Sequence, residues 1–145
     1  MSFLATPSDF SYVLAALSTV PFVNMYIDIS VGKLRKRAGV PYPALFASEE
    51  EAAKDPLKKQ FNCAQKASMN FSEHVGSFLA AALVSGYHAP KLSAALVIAW
   101  SLGRAIYHHG YSSGDPKKRM RGGFATLSFA ILMLTGAFYS VKSLL

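Results

Sequence analysis

Phe124–Val141 is a run of eighteen residues without a charged side chain. That is close to the ~20 residues a helix needs to cross a bilayer. It leaves no polar face for a soluble amphipathic helix to turn toward water. Phe78–Val84 lacks a polar face in the same way. Three further segments have similar length, so the spans are expected at about 10–31, 61–87, 91–111 and 122–142. The first carries Pro21, Asn24 and Asp28 and is expected to bend near Pro21, because proline removes an amide donor and crowds the preceding turn. The expectation is a single domain over residues 1–145: an all-α, integral membrane bundle of four transmembrane helices, with no internal repeat.

Composition agrees, with one tension. Charged residues make up 16% of the chain, against a usual ~25%, and the mean hydropathy is +0.26. Such a chain has too much apolar material to be disordered. Cys63 is the only cysteine, which excludes an intrachain disulfide scaffold. Ordinary Gly and Pro counts exclude a collagen-like chain. Yet the net charge is +7, which by itself would suit a basic soluble domain binding nucleic acid.

The location of the charge decides against nucleic acid. No Lys or Arg precedes Lys33, so the first segment is expected to be a span and not a cleavable signal peptide, which would carry a basic leader. Lys33, Arg35, Lys36, Arg37, Lys54, Lys58, Lys59 and Lys66 lie in or beside the connection between the first two spans. Lys117, Lys118, Arg119 and Arg121 lie between the last two, so these connections hold twelve of the fifteen basic residues. The positive-inside rule places both basic loops in the cytosol and both termini on the far side. The first connection, Gly39–Lys59, is read as a loop because of Val40-Pro41-Tyr42-Pro43 and the solvated run Glu49-Glu50-Glu51 before Asp55-Pro56. Ser112–Gly123 is read as a turn.

Ionisable residues inside spans are costly and face a cavity, a partner or the bundle interior. Here they form stripes. Lys66, Asn70, Glu73 and His74 share a face of the second span. Arg104, Tyr107, His108 and Tyr111 form one on the third. Arg35 and Lys36 end the first span at the same level, and Arg119 with its neighbours begins the fourth. The pattern implies a basic, hydrogen-bonding pocket bordered by lipid, suited to a small anionic ligand beside an apolar one. Plainer readings coexist with it. The basic residues could serve only as topology markers, Arg104 and Glu73 could form an interhelical ion pair, and the tyrosines could be interfacial aromatics. His108 and His109 point ~100° apart, so at most one faces the pocket. No spacing suits a metal site, and Cys63 reads as a small inert residue.

Phe61-Asn62-Cys63-Ala64-Gln65-Lys66-Ala67-Ser68-Met69-Asn70 with Glu73 resembles the second-helix signature of the MAPEG family, the membrane-associated proteins of eicosanoid and glutathione metabolism. Gly103-Arg104-Ala105-Ile106-Tyr107, Gly110-Tyr111 and the run Gly114–Gly122 are most similar to its type 3 microsomal glutathione transferase branch. The likeness extends from Arg35 to the C-terminus and is weakest in the first helix.

The resemblance implies a homotrimer in which glutathione, as co-substrate, sits between protomers and a lipophilic electrophile or lipid hydroperoxide enters from the bilayer. Residue spacing and charge placement add the expectation of no metal and no nucleic acid. By position it assigns Arg35 to a glutathione carboxylate, and Asn70 and Glu73 to the peptide and amino group. Tyr107 and Tyr111 would hydrogen-bond the tripeptide, with Arg104 near the same cavity and Lys66 where the family often has Arg. Arg119 is assigned to thiolate stabilisation, with Lys118 and Arg121 as alternatives, and Lys36 to proton donation or charge neutralisation. Ser68 replaces a common Gln or His, and His74 stands where some members have Tyr.

The implied activity is glutathione transfer, with peroxidase or leukotriene C4 synthase-like activity, in endoplasmic reticulum or outer mitochondrial membrane. The alternatives are a non-catalytic lipid-binding relative and a small channel or transporter.

Overall fold

The computed structural model describes residues 9–145, and these are helical with no strand. α1 (Phe10–Leu17) and α2 (Thr19–Ala38) form a broken rod. The break falls at Ser18, a turn before Pro21. Proline has no N–H for the Leu17 carbonyl, and its ring crowds that carbonyl, so the distortion appears upstream of the residue that causes it. α2 runs beyond Val31 to Ala38, where Gly39 at φ 62° closes it. The Val40 and Gly39 amides donate back to the Arg35 and Lys36 carbonyls, the paired bonds of a Schellman ending.

The connection read as a loop contains more helix than expected. α3 (Glu49–Lys54) is a short helix, and α4 (Pro56–His88) starts five residues before the predicted span. Both starts have local causes. The Ser48 hydroxyl accepts from the Glu51 amide while the Glu51 carboxylate accepts from the Ser48 amide, a reciprocal capping box. Asp55 caps the Leu57 amide with Pro56 at the first helical position. The acidic run and the Asp-Pro pair are therefore helix starts.

Glu51 also accepts from Lys58, and that bond together with those from Ser48 lowers its pKa from 4.5 to about 2. A carboxylate with a depressed folded-state pKa contributes stability above its ordinary pKa and loses it as pH falls. Protection of α3 amides from hydrogen exchange should therefore decline as pH drops from 4.5 toward about 2, and Glu51→Gln should abolish that dependence.

α5 (Pro90–Tyr111) follows α4 after Ala89, then comes a 3-10 helix (Pro116–Gly122) where the sequence predicts a turn, and finally α6 (Phe124–Lys142). α4, α5 and α6 pack on one another, and α1 and α2 pack on α5 and α4. Trp100 sits at the centre, stacked on Phe78 with ring centroids 3.7 Å apart and tilted against Phe71 at 5.5 Å.

The polarity of the packing is that of a membrane protein. Ser85 and Ser93 are fully buried with hydroxyls 2.7 Å apart, and Thr19 bonds Ser101 across helices at 2.8 Å. Phe22, Leu127, Leu134 and Phe138 meanwhile stand outward with more than half their surface exposed. Large exposed apolar side chains of this kind suit lipid contact, and interhelical hydroxyl bonds are among the contacts that join helices in lipid. The α1–α2 rod, Phe10–Ala38, and α6, Phe124–Lys142, are long and apolar enough to cross a membrane.

Candidate functional site

The first connection is fastened by two side chains. Arg35, buried at the end of α2, donates through Nη1 to the Ala44 carbonyl at 2.6 Å and the Val40 carbonyl at 3.5 Å. Its guanidinium lies over the rings of Tyr42 (4.4 Å) and Phe61 (4.6 Å). Asn62 completes the clamp, accepting from the Ala47 amide and donating to its carbonyl, both at 2.9 Å. Prolines at 41 and 43 keep this segment out of helix, so its inward carbonyls need side-chain donors. Part of the Arg35 fork is thus committed to the loop, leaving only its other N–H groups for a carboxylate. In sequence Asn62 is only one letter of a signature; its pinning of the loop depends on the fold that brings Ala47 to it.

The remaining predicted residues separate into two groups. Asn70 on α4 accepts from Arg104 Nη2 on α5 at 2.9 Å. Arg104 is 6% exposed, with its guanidinium 4.8 Å from the Tyr107 ring centroid. Tyr107 meets Tyr111 edge to face at 5.9 Å, and Arg119 from the 3-10 helix lies over Tyr111 at 5.3 Å. The structure therefore brings Asn70, Arg104, Tyr107, Tyr111 and Arg119 into one continuous row contributed by α4, α5 and the 3-10 helix. Arg104 Nε is buried and has no partner among the described residues.

Lys66 and Glu73 form their own half-exposed pair at 3.8 Å on the outer face of α4. Arg104 therefore bonds Asn70, and the Arg104–Glu73 ion pair considered from sequence is replaced by Lys66–Glu73. Lys36 is exposed at the end of α2, and Lys118 and Arg121 are exposed on the 3-10 helix. His108 leaves the stripe: it is 1% exposed and meets Tyr26 of α2 edge-on at 5.6 Å.

Cavities flank the row. An apolar groove of about 260 Å³ between α4, α5 and α6 has Arg104 in its wall, with Trp100, Phe129 and Met133. A second hollow of about 390 Å³ is lined by Tyr111 together with Cys63, Asn62 and Lys59. A cationic, phenol-lined row beside an apolar groove can hold an anion next to a greasy molecule.

The 3-10 helix is seated by glycines. A Cβ on Gly122 would run into the Gly103 carbonyl oxygen, and one on Gly110 into the Lys118 carbonyl. This backbone-to-backbone approach puts Arg119 beside Tyr111. Loss of the Asn70 amide would strand Arg104 as a buried charge lacking a bond. Asn70→Ala should cost about 1–3 kcal/mol of stability, read from denaturant melts in detergent.

Residues 13–139 match the sequence profile of the MAPEG family. The chain belongs to the MAPEG family. An uncharacterized protein of Synechocystis sp. is similar to it, 28% identical over 130 residues covering 89% of this chain and 85% of that relative. MAPEG membership and the two long apolar helices point to a membrane protein, and MAPEG proteins use glutathione. Membership points to glutathione-related or eicosanoid-related function. Among the described residues no cluster of side chains could hold a metal.

Proposed function

We propose that this MAPEG protein is a glutathione transferase and peroxidase acting on lipophilic electrophiles and lipid hydroperoxides. In this reading α4 and α5 also span the bilayer, the basic loops face the cytosol with both termini beyond the membrane, and three copies assemble. The membrane is that of the endoplasmic reticulum or the outer mitochondrial membrane. The observation that carries the reading is the row Asn70–Arg104–Tyr107–Tyr111–Arg119 beside an apolar groove.

Each group then has a task. Arg104, Asn70, Tyr107 and Tyr111 hold the tripeptide, together with Glu73, Lys66 and the free N–H groups of Arg35. Arg119 faces the sulfur. A free thiol has a pKa of ~8.5, and only the thiolate is a good nucleophile. A guanidinium within hydrogen-bond reach favours the thiolate and stays charged beside lipid. With an electrophilic carbon, a carbon–sulfur bond forms as the leaving group departs or an epoxide opens. With a hydroperoxide, sulfur attacks the distal oxygen and the oxygen–oxygen bond breaks. The alkoxide takes a proton, a role assigned to Lys36, and a second glutathione converts the sulfenic acid to a disulfide and water.

A non-catalytic lipid-binding role is the alternative, and the single test separates them. Purified protein should raise glutathione thiolate absorbance at neutral pH and turn over a haloarene, an epoxide lipid or a lipid hydroperoxide. Absence of both signals would leave the lipid-binding alternative.

A further inference from the structure

Roughly half a turn around α5 from the cationic row lies an amphipathic groove that the glutathione reading does not use. It runs between α2 and α5. By helical spacing, exposed apolar side chains continue its two faces toward the middle of the bundle: Phe22, Tyr26 and Ile29 on α2, in line with Lys33, and Leu102 and Ile106 on α5, in line with His109. At the end carrying the basic loops it opens into a cavity of about 420 Å³ whose wall includes Lys33, Arg37, His109, Ser30 and Gln60. Lys33 and Arg37 are one turn apart and so share a face. None of the side chains lining the cavity is acidic.

Two of the last carbonyls of α5 are also hydrogen-bonded by hydroxyls where the helix reaches this cavity. The Ser112 hydroxyl donates to the His108 carbonyl at 2.7 Å, and the Ser113 hydroxyl to the Gly110 carbonyl at 2.7 Å. The order along the groove, apolar and then basic, is that of a lipid lying parallel to the bundle, with acyl chain toward the membrane centre and phosphate at its edge. Arg suits such a phosphate because its fork can donate two parallel bonds.

We propose that the α2–α5 groove is a binding site for an anionic phospholipid, with the phosphate held by Lys33 and Arg37 and the acyl chain along Phe22, Ile29, Leu102 and Ile106. The site is independent of the proposed enzymatic activity.

The test reconstitutes the full-length protein in vesicles of phosphatidylcholine and phosphatidylglycerol, repurifies it and quantifies retained lipid. Wild type should retain phosphatidylglycerol preferentially. Lys33→Gln/Arg37→Gln should lower that retention about thirty-fold, from ~1 kcal/mol per basic residue near a membrane surface. His109→Gln should lower it less. Lys54→Gln/Lys117→Gln removes the same charge from exposed positions on the connecting segments and should leave retention unchanged. Equal retention of both lipids by wild type, or equal loss in the two double variants, would overturn the proposal. Displacement of the lipid by inorganic phosphate at matching concentration would assign the cavity to a free anion and overturn it too.

Discussion

Arg119→Ala is expected to lower glutathione turnover on the order of a hundredfold, the effect of removing one donor aimed at a developing anion, while leaving the unfolding temperature nearly unchanged. The two halves of this expectation have separate causes. Arg119 forms no ion pair among the described residues, and its visible contact is the Tyr111 ring at 5.3 Å. Such a cation–π contact contributes about 0.5–1 kcal/mol at exposed sites. Its proposed work is done on the sulfur. The thiolate absorbance of bound glutathione should therefore fall together with the rate. Arg119→Lys should recover only part of it, because an ammonium keeps charge but loses the planar fork. Lys118→Ala and Arg121→Ala should behave nearly as wild type, since both side chains are exposed. Near wild-type rates for Arg119→Ala, or a collapse in either neighbour, would move the thiolate role off Arg119.

Gly122→Ala should have the opposite signature, with stability and activity falling together. The added Cβ would lie 2.5 Å from the Tyr107 amide nitrogen and 2.7 Å from the Tyr107 Cβ, besides striking the Gly103 carbonyl oxygen. These are backbone atoms and a Cβ, none of which can swing aside. The 3-10 helix must lift off α5, at a cost of about 1–3 kcal/mol or more. Arg119 then leaves Tyr111, and Tyr107 shifts as well. Melts in detergent and initial rates measured on the same preparations check both effects. Gly32→Ala is the control: its Cβ meets nothing within 4 Å, and its helical position should make the change neutral or stabilising by up to about 1 kcal/mol. A Gly122→Ala protein with normal stability would contradict the seating of the 3-10 helix.

The long-range pattern was legible in the sequence for a physical reason. A charge inside a bilayer is so costly that spans and polar stripes must appear as segregation along the chain. Helical periodicity then put Arg104, Tyr107 and Tyr111 on one face of α5 and Asn70 with Glu73 on one face of α4. Local capping chemistry was equally present in the letters, as Ser48 with Glu51 and Asp55 with Pro56. The same letters also fit a solvated loop, because charged, proline-containing connections satisfy both patterns. What periodicity could not supply was the pairing between helices. The choice of Asn70 over Glu73 as the partner of Arg104 depends on how α4 and α5 cross. His108 fits the stripe by spacing and leaves it because α2 brings Tyr26 against that side of α5.

The sequence by itself determined that the protein is helical, that it belongs in a membrane, and that its basic residues gather in two connections, because solvation acts on every residue separately and leaves its record in order and period. Only the tertiary structure decided that Arg35 is partly spent on holding its own loop. It alone set a 3-10 helix, held by contacts that tolerate no Cβ at Gly110 or Gly122, against Tyr111 to bring Arg119 there. Those outcomes depend on backbone approach and crossing geometry between distant segments, which no local pattern encodes.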